Sequence, residues 1–486
     1  MDIDYLPWTK SAADAERICL RDEERELTYA EVSRRSAAVA EQFAGAGIGR
    51  GDVVAIMLPN RLELLIGLFA AWRLGATATP INPVFTPNEA GYQIRDSGAT
   101  LLLTVATDAE HGIPVISSDE LRHTPHATPS EPSVAPDALA LLIYTSGSTG
   151  HPKGVMLDHA NLTAMITSLV DAMGIGREDH SLLVLPLFHV NALVVSCLMP
   201  LSVGGRVTVL ERFAPTTFLD AITLHRPTYF SAVPTIYARL AEQPEDLPVD
   251  TTSVRFAACG SSPVAPELLN RIHERFGFPI VEGYGLTEGT CASTLNPADG
   301  SGKPRTVGRA LPGQQVGVMS PEGELLGPGA RGEVVIRGAN IMRGYLGRPE
   351  ATEETIVDGW LHTGDVGVID EDGYVAIVDR IKDMIIRGGE NLYPKEIESV
   401  LAKHPEVLEV AVVGAPEPFL GEVPVAYVVT YPDATVTVDE LIALCRVELT
   451  KIKVPTALHL VQGLPKNPIG KIDKPALRQA LSEPVR

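Results

Sequence analysis

Tyr144-Thr145-Ser146-Gly147-Ser148-Thr149-Gly150-His151-Pro152-Lys153-Gly154 decides how this chain is read. The string packs four small hydroxyl residues, three glycines and one lysine into one loop. Before it, Leu139 to Tyr144 is apolar and short enough for a buried strand. After it, Asp158 to Met173 opens with capping-type residues and continues at helical spacing. Strand, glycine-rich loop and helix is a layout suited to a polyphosphate. Glycines let the backbone approach closely, and backbone N–H groups and hydroxyls donate to phosphate oxygens. Lys153 supplies a positive charge. The string is not a Walker A loop, because His151 and Pro152 separate Gly150 from Lys153. A mobile Ser/Gly surface turn is the alternative, and the lysine with its flanking strand and helix weighs against it.

The bulk numbers set limits. At 486 residues the chain exceeds one ordinary core, so at least two domains are expected. A hydrophobic content of 45% is ordinary for a globular protein. The best membrane-span candidate, Val190 to Val203, is short and interrupted by Asn191, Ser196 and Pro200. Met1-Asp2-Ile3-Asp4-Tyr5 lacks the basic and apolar regions of a signal peptide, so a cytoplasmic protein is the expectation. Cys19, Cys197, Cys259, Cys291 and Cys445 are scattered with no C-x-x-C pair, which suggests apolar fillers. A net charge of −21 argues against nucleic acid or an anionic membrane as partner, and requires any ATP site to be a local basic pocket.

From Leu27 to Thr104 helical and strand patterns alternate. Thr28–Ala44 and Arg61–Leu74 read as helices, Asp52–Leu58 and Thr77–Asn82 as strands. Such alternation points to parallel sheets covered by helices on both faces. It resumes after a Pro/Ser/Thr-rich connection at Arg122–Pro136 and continues to Thr287. Asn296 to Gly347 is rich in Gly and Pro with short β-type runs, which suggests a small barrel-like subdomain. After Arg380 comes a compact α+β tail, with a boundary placed near Lys382.

Further strings carry chemistry. In Glu282-Gly283-Tyr284-Gly285-Leu286-Thr287-Glu288, two glycines flank a flat ring on which a purine could stack. Thr287 and Glu288 then offer a hydroxyl and a carboxylate for phosphate and magnesium. A β-turn with a buried tyrosine would explain that string equally well. Gly260, Ser261 and Ser262 close a small-residue loop after Ala257-Ala258-Cys259, leaving room for a nucleotide or acyl group, or serving tight packing. Asp365 follows a turn and could accept from two ribose hydroxyls, with Arg380 a second ribose contact. Gly388, Gly389 and Glu390 form a turn that an extended ligand could approach. Lys471 lies on a turn before a tail helix. Taken singly, Asp365, Arg380 and Lys471 would be surface charges.

Together these strings fall in the order of the core motifs of the adenylate-forming, AMP-binding superfamily, which the chain resembles from about Leu27 to Leu477. The resemblance implies an α/β fold: a large N-terminal domain of two αβ sheets plus a small β-barrel subdomain (1–381), and a smaller α+β C-terminal lid (382–486). It implies ATP, Mg2+ and CoA as cofactors and co-substrates. A carboxylate attacks the α-phosphate of ATP to give acyl-AMP and pyrophosphate, and a thiol then displaces AMP. The nucleotide would be bound by Thr145, Ser146, Gly147, Ser148, Thr149, Gly150, Gly260, Ser261, Ser262, Glu282, Gly283, Tyr284, Gly285, Asp365 and Arg380. Lys153, Thr287 and Glu288 would handle the polyphosphate, with Glu288 the metal ligand. Lys471 would bridge carboxylate and α-phosphate in the first step. Rotation of the lid about Lys382 would then bring Gly388, Gly389 and Glu390 to the pantetheine.

The turn at Gly388–Glu390 and the string Pro186-Leu187-Phe188-His189-Val190-Asn191-Ala192 resemble those of acyl- and aryl-CoA ligases. His189 would gate the pantetheine tunnel, the alternative being a core histidine. No aspartate stands ready for an α-amino group. The acyl pocket expected from Val190–Leu193, Phe230–Val233, Ala257–Gly260 and Gly283–Leu286 carries no charge, which favours a hydrophobic, fatty or bulky apolar monocarboxylic acid. The alternative is a free-standing adenylation enzyme that loads the pantetheine of an acyl carrier protein. Monomer and homodimer are both compatible with the sequence.

Overall fold

The computed structural model describes residues 3–105, 112–126, 132, 134–145, 152–260, 264, 266–466 and 472–482. Contacts group the chain into two compact units: 1–317, 335–362 and 371–375 in the first; 318–334, 363–370 and 376–486 in the second.

The first unit is built on two sheets. One runs in the order Gly344–Tyr345, Lys153–Asp158, Leu139–Thr145, Thr77–Pro80, Val53–Met57, Leu101–Thr104, Val115–Ser117. Its strands from Leu139–Thr145 to Val115–Ser117 are parallel. Helices Tyr29–Gly45, Pro87–Asp96 and His159–Met173 start where side chains satisfy the first free N–H groups. Tyr29–Gly45 has a reciprocal Thr28/Glu31 cap. Leu62–Arg73 is buried along its whole length, as a helix packed between layers must be.

The second sheet has nine strands, with a parallel centre of Ile18–Arg21, Arg206–Val209, His180–Leu183, Tyr229–Ala232, Phe256–Cys259 and Ile280–Tyr284. Four of these strands, His180–Leu183, Tyr229–Ala232, Phe256–Cys259 and Ile18–Arg21, are buried wholly or at their centres. That is why they read as apolar runs without alternation. Across the segment with β-type runs, Gln314–Met319, Arg331–Gly338, Ile356–Val357, Trp360–Ile369 and Val375–Arg380 make a five-stranded sheet that extends beyond Gly347.

One local expectation is corrected. The glycine-rich loop does not lead into a helix. Lys153–Asp158 is a strand, antiparallel to Leu139–Thr145, with Thr145 directly opposite Lys153. The helix His159–Met173 begins one strand later, capped by Asp158. A strand, and not a helix N-terminus, therefore follows at Lys153.

The second unit carries an antiparallel sheet ordered Glu390–Leu392, Ile385–Arg387, Gly421–Thr430, Val407–Glu417, with Ala457–Leu460 parallel to Gly421–Thr430. Helices Pro394–Leu401 and Val438–Glu448 cover it through Ile397, Leu401, Leu441 and Cys445. Gly388 and Gly389, both at positive φ, form a two-residue hairpin turn between paired Arg387 and Glu390. Only glycine adopts both conformations without strain. Among the described residues no helix is long and apolar enough to cross a membrane.

Candidate active site

In the first unit, tight backbone turns bring four side chains together. Gly285 is required by packing: a Cβ there would lie 2.2 Å from the Cys291 carbonyl oxygen and 2.5 Å from the Ala292 Cα. The chain folds back onto it through Thr290 and Cys291, both non-glycine residues at positive φ. This holds the short helical turn Thr287–Gly289 in place. The Glu288 carbonyl accepts from the Met342 N–H at 2.9 Å, and Asn340 Nδ2 donates to the Gly289 carbonyl at 2.9 Å. The segment that follows Met342 pairs as an edge strand with Lys153–Asp158, setting Tyr345 opposite Val155.

The result is a compact cluster. Tyr345 donates its hydroxyl to Glu288 Oε1 at 2.9 Å, and Thr145 Oγ1 donates to the same oxygen at 3.4 Å. Lys153 Nζ stands 4.9 Å from the centre of the Tyr345 ring. Glu288 Oε2 and the Thr287 hydroxyl have no hydrogen-bond partner among the described residues. Burial and the Glu288 carboxylate raise the Tyr345 phenol above its ordinary range, so it stays a donor. An all-oxygen set of carboxylate and hydroxyl is the donor chemistry of a hard divalent cation.

The cluster unites Thr145, Lys153, Thr287 and Glu288 of the expected site. Ser146, Gly147, Ser148, Thr149, Gly150, Ser261, Ser262 and Lys471 lie outside the described residues. Tyr345 was missed, as were the anchors of the loop's two ends. Tyr144 donates to Asp96 at 2.8 Å, Tyr92 donates to the Pro152 carbonyl at 3.0 Å, and Arg348 pairs with Asp96 at 2.9 Å. The available signal for Tyr345 was an aromatic between Gly344 and Gly347, read only as part of a glycine-rich subdomain.

In the same unit, three expected pocket positions meet. Among the described residues a Cβ on Gly260 would have Asn191 Nδ2 and the Gly283 carbonyl oxygen within reach, each at 3.8 Å. Gly283 itself is closely packed, with Leu295 Cδ1 and the Thr294 carbonyl 2.9 and 3.0 Å from the place of a Cβ. Tyr284 and Gly283 sit in a strand paired with Thr294–Leu295. Glu282 accepts from the Val264 N–H at 3.3 Å. His189 is half-buried with its ring 4.4 Å from that of Phe188.

In the second unit Asp365 is buried in mid-strand, not at a strand end, and accepts from Arg380 Nε at 2.7 Å. Gly364 before it is at positive φ and donates its N–H to Glu333. Asp379 accepts backbone N–H groups from Arg380 and Lys395, while its burial pushes its pKa above the usual carboxylate value. Lys382 is exposed on the turn Ile381–Asp383; Gly388, Gly389 and Glu390 are exposed as well.

Residues 8–346 match the model of the AMP-binding enzyme family, and 396–471 match that of its C-terminal domain. The chain is 40% identical over 461 residues to a feruloyl-CoA synthase from Amycolatopsis sp, covering 93% of this chain and 94% of that one. It is 36% identical over 473 residues to 2-succinylbenzoate–CoA ligase from Bacillus subtilis, covering 96% and 95%. Among solved structures, ATP-bound MatB from Rhodopseudomonas palustris superposes with TM-score 0.91 at 32% identity, covering 99% of both chains. The Bacillus subtilis o-succinylbenzoate CoA synthetase with its acyl-adenylate gives 0.89 at 34%, covering 99% and 98%. The chain belongs to the AMP-binding enzyme family. Within it, this is an acid–thiol ligase, an AMP-forming acyl-CoA synthetase that uses ATP, Mg2+ and CoA.

Proposed function

We propose that the chain activates a hydrophobic monocarboxylic acid, and that the Thr145–Lys153–Glu288–Tyr345 cluster holds the reacting polyphosphate. The convergence of these four side chains, from three separated stretches of sequence, carries the reading. A carboxylate oxygen bonds to the α-phosphorus while the bond to the pyrophosphate oxygen breaks. Attack of one anion on another needs charge neutralised and reactants held in line. Lys153 offers charge, and the Thr145 and Thr287 hydroxyls offer donors. Tyr345 fixes one oxygen of Glu288 and leaves the other toward a cation. A magnesium ion bound there would neutralise phosphate charge. In the second step the CoA sulfur bonds to the acyl carbon and AMP leaves with its oxygen.

The acid class rests on the lining: Val190 is buried, and Asn191, Gly260 and Gly283 meet without a charged side chain among them. The feruloyl-CoA synthase relative takes its name from an aromatic acid, and a 33% identical Escherichia coli relative from long-chain fatty acids. We place the hinge at Lys382, between domains 1–381 and 382–486, with Lys471 serving adenylation and Gly388 and Gly389 the thiol step. Asp365 and Arg380 hold the ribose, Tyr284 faces the purine and His189 borders the pantetheine path. The test is pyrophosphate release over a panel of acids, with and without CoA. Acetate or malonate as best substrate by kcat/KM would end the hydrophobic-acid reading. Product formation only with a carrier protein would favour the alternative thiol.

A further inference from the structure

The short turn Ile381–Asp383, where we place the hinge, is bridged by polar contacts from the sheet before it to the helix after it. Asp379 stands at the end of the strand Val375–Arg380 and is buried, at 5% exposure. Its Oδ1 accepts the Arg380 N–H at 2.8 Å, and its Oδ2 accepts the Lys395 N–H at 2.7 Å. Lys395 is the second residue of the helix Pro394–Leu401. Tyr393, at the cap position of that helix, makes no side-chain cap bond, and Pro394 has no N–H to offer. Asp379 therefore caps the helix from outside, across the hinge turn. One residue further on, Glu396 receives Arg331 on Oε1 at 3.1 Å and Lys453 on Oε2. The Arg331 guanidinium also lies over the Tyr393 ring, 4.7 Å from its centre. All of these residues belong to the second unit.

The position of Lys382 divides these contacts. Arg331 and Asp379 precede it, on the sheet that holds Arg331–Gly338 and Val375–Arg380. Tyr393, Lys395 and Glu396 follow it, at the start of the helix. Apolar packing does not cross in the same way. The two apolar clusters beyond Lys382, one around Ile397 and Leu441 and one around Val413 and Leu477, draw all their described members from Ile385 onward. Parted apolar surfaces lose their burial outright, whereas a hydrogen-bonded or paired group exchanges its partner for water at a small net cost. A joint held by polar contacts can therefore open and close again.

We propose that Asp379 and Arg331 are positioning residues that latch the start of the helix Pro394–Leu401, and that this latch must open before the lid can turn at Lys382. This rests on the lid reading above and adds to it the contacts that set the balance between the two half-reactions. Both residues act through the helix. Asp379 is the stronger half, because its carboxylate is buried; the Arg331 side chain is exposed, and its pair with Glu396 adds less. Asp379 also holds the Arg380 N–H, and Arg380 reaches Asp365 at 2.7 Å, so the latch ties the helix to the proposed ribose contact.

The experiment measures each half-reaction by single turnover in the full-length enzyme, using the acid of highest kcat/KM in the panel above. One assay follows acyl-AMP formation at saturating ATP, the other thioester formation from presynthesised acyl-AMP at saturating CoA. Wild type is set beside Asp379→Asn, Arg331→Met and Arg331→Lys. Asp379→Asn keeps the shape but offers one acceptor oxygen to two N–H groups. A latch variant should slow the half-reaction that runs latched and spare the other, so the ratio of the two rates changes. The expected change is about 10-fold for Asp379→Asn and, in the same direction, about 3-fold for Arg331→Met, the scales of a charged hydrogen bond and of a solvated ion pair. Arg331→Lys, which keeps a charge for Glu396, should bring the ratio back toward wild type. An unchanged ratio in Asp379→Asn and Arg331→Met, whether both rates fall alike or neither moves, overturns the proposal. Lys382→Pro is measured alongside. If it too leaves the ratio unchanged, the lid reading fails and takes the latch with it; if it shifts the ratio while the latch variants do not, the latch alone fails. Circular dichroism of each variant detects unfolding, and Arg331→Met, at an exposed site, keeps the test decisive if Asp379→Asn does not fold.

Discussion

Glu288, half-buried in the first unit, and Asp365, buried in the second, are carboxylates partnered in opposite ways. Glu288 receives two neutral hydroxyls on one oxygen and keeps the other without a partner among the described residues. Asp365 faces the Arg380 guanidinium at 2.7 Å. A carboxylate held by hydroxyls retains its full charge and suits a cation. A carboxylate paired with arginine has its charge offset, which suits neutral donors such as a sugar diol better than a cation. The two acids thus have different neighbours, hydroxyls at Glu288 and a guanidinium at Asp365.

The sharpest way to separate the two units is through Lys471. Lys471→Ala is expected to cut acyl-AMP formation by roughly 10²–10³, the scale of one charge stabiliser at a transition state. The same variant should convert presynthesised acyl-AMP and CoA at near wild-type rate. Lys382→Pro should show the reverse, because proline fixes φ at the proposed pivot. Single-turnover kinetics of each half-reaction decides; equal damage to both by Lys471→Ala would rule out the division of labour.

Next in size is the ribose assignment. Asp365→Ala should raise the KM for ATP and slow adenylation by a factor on the order of 10², the worth of a lost charge-assisted hydrogen bond. Unchanged ATP kinetics would return Asp365 to a purely structural ion pair. Tyr345→Phe tests the other carboxylate with a smaller effect. Removing one neutral donor should lower adenylation about 10-fold and weaken the Mg2+ dependence, with the thioester step spared. Identical Mg2+ titrations in variant and wild type would detach Tyr345 from the metal.

The smallest effect concerns stability. Among the described residues the fully buried histidines, His159 and His180, both belong to the first unit. Burial holds each neutral, pulled down to about 3. Below about pH 6.5 the unfolded chain takes up protons that the native chain refuses. Stability therefore falls on acidification from about 6.5 toward 3, by on the order of 1 kcal/mol per pH unit for each ring. Calorimetry between pH 7 and 5 should show a falling melting temperature, with a shallower slope in His159→Gln. A melting temperature flat across that interval would contradict the burial of both rings.

Much of this was legible in the amino-acid order alone. The helices Tyr29–Gly45 and Leu62–Arg73 and the strands Val53–Met57 and Leu139–Thr145 fall where period and capping put them, because these signals are local. So did the glycines: Gly388 and Gly389 announce a turn by their own chemistry. The hairpin at Thr145–Lys153 was misread, since Lys153–Asp158 is a short strand whose pairing partner, not its composition, makes it one.

Tertiary structure alone decided the rest. Tyr345 reaches Glu288 across 57 residues, and Asp96 holds Tyr144 across 48. Arg380 meets Asp365 because two strands run side by side. Asp379 holds the Lys395 N–H across 16 residues. Sequence fixes which groups exist and the local shape that presents them. It does not show which group neutralises, orients or leaves free another, because that depends on distances of about 3 Å between elements far apart in the chain.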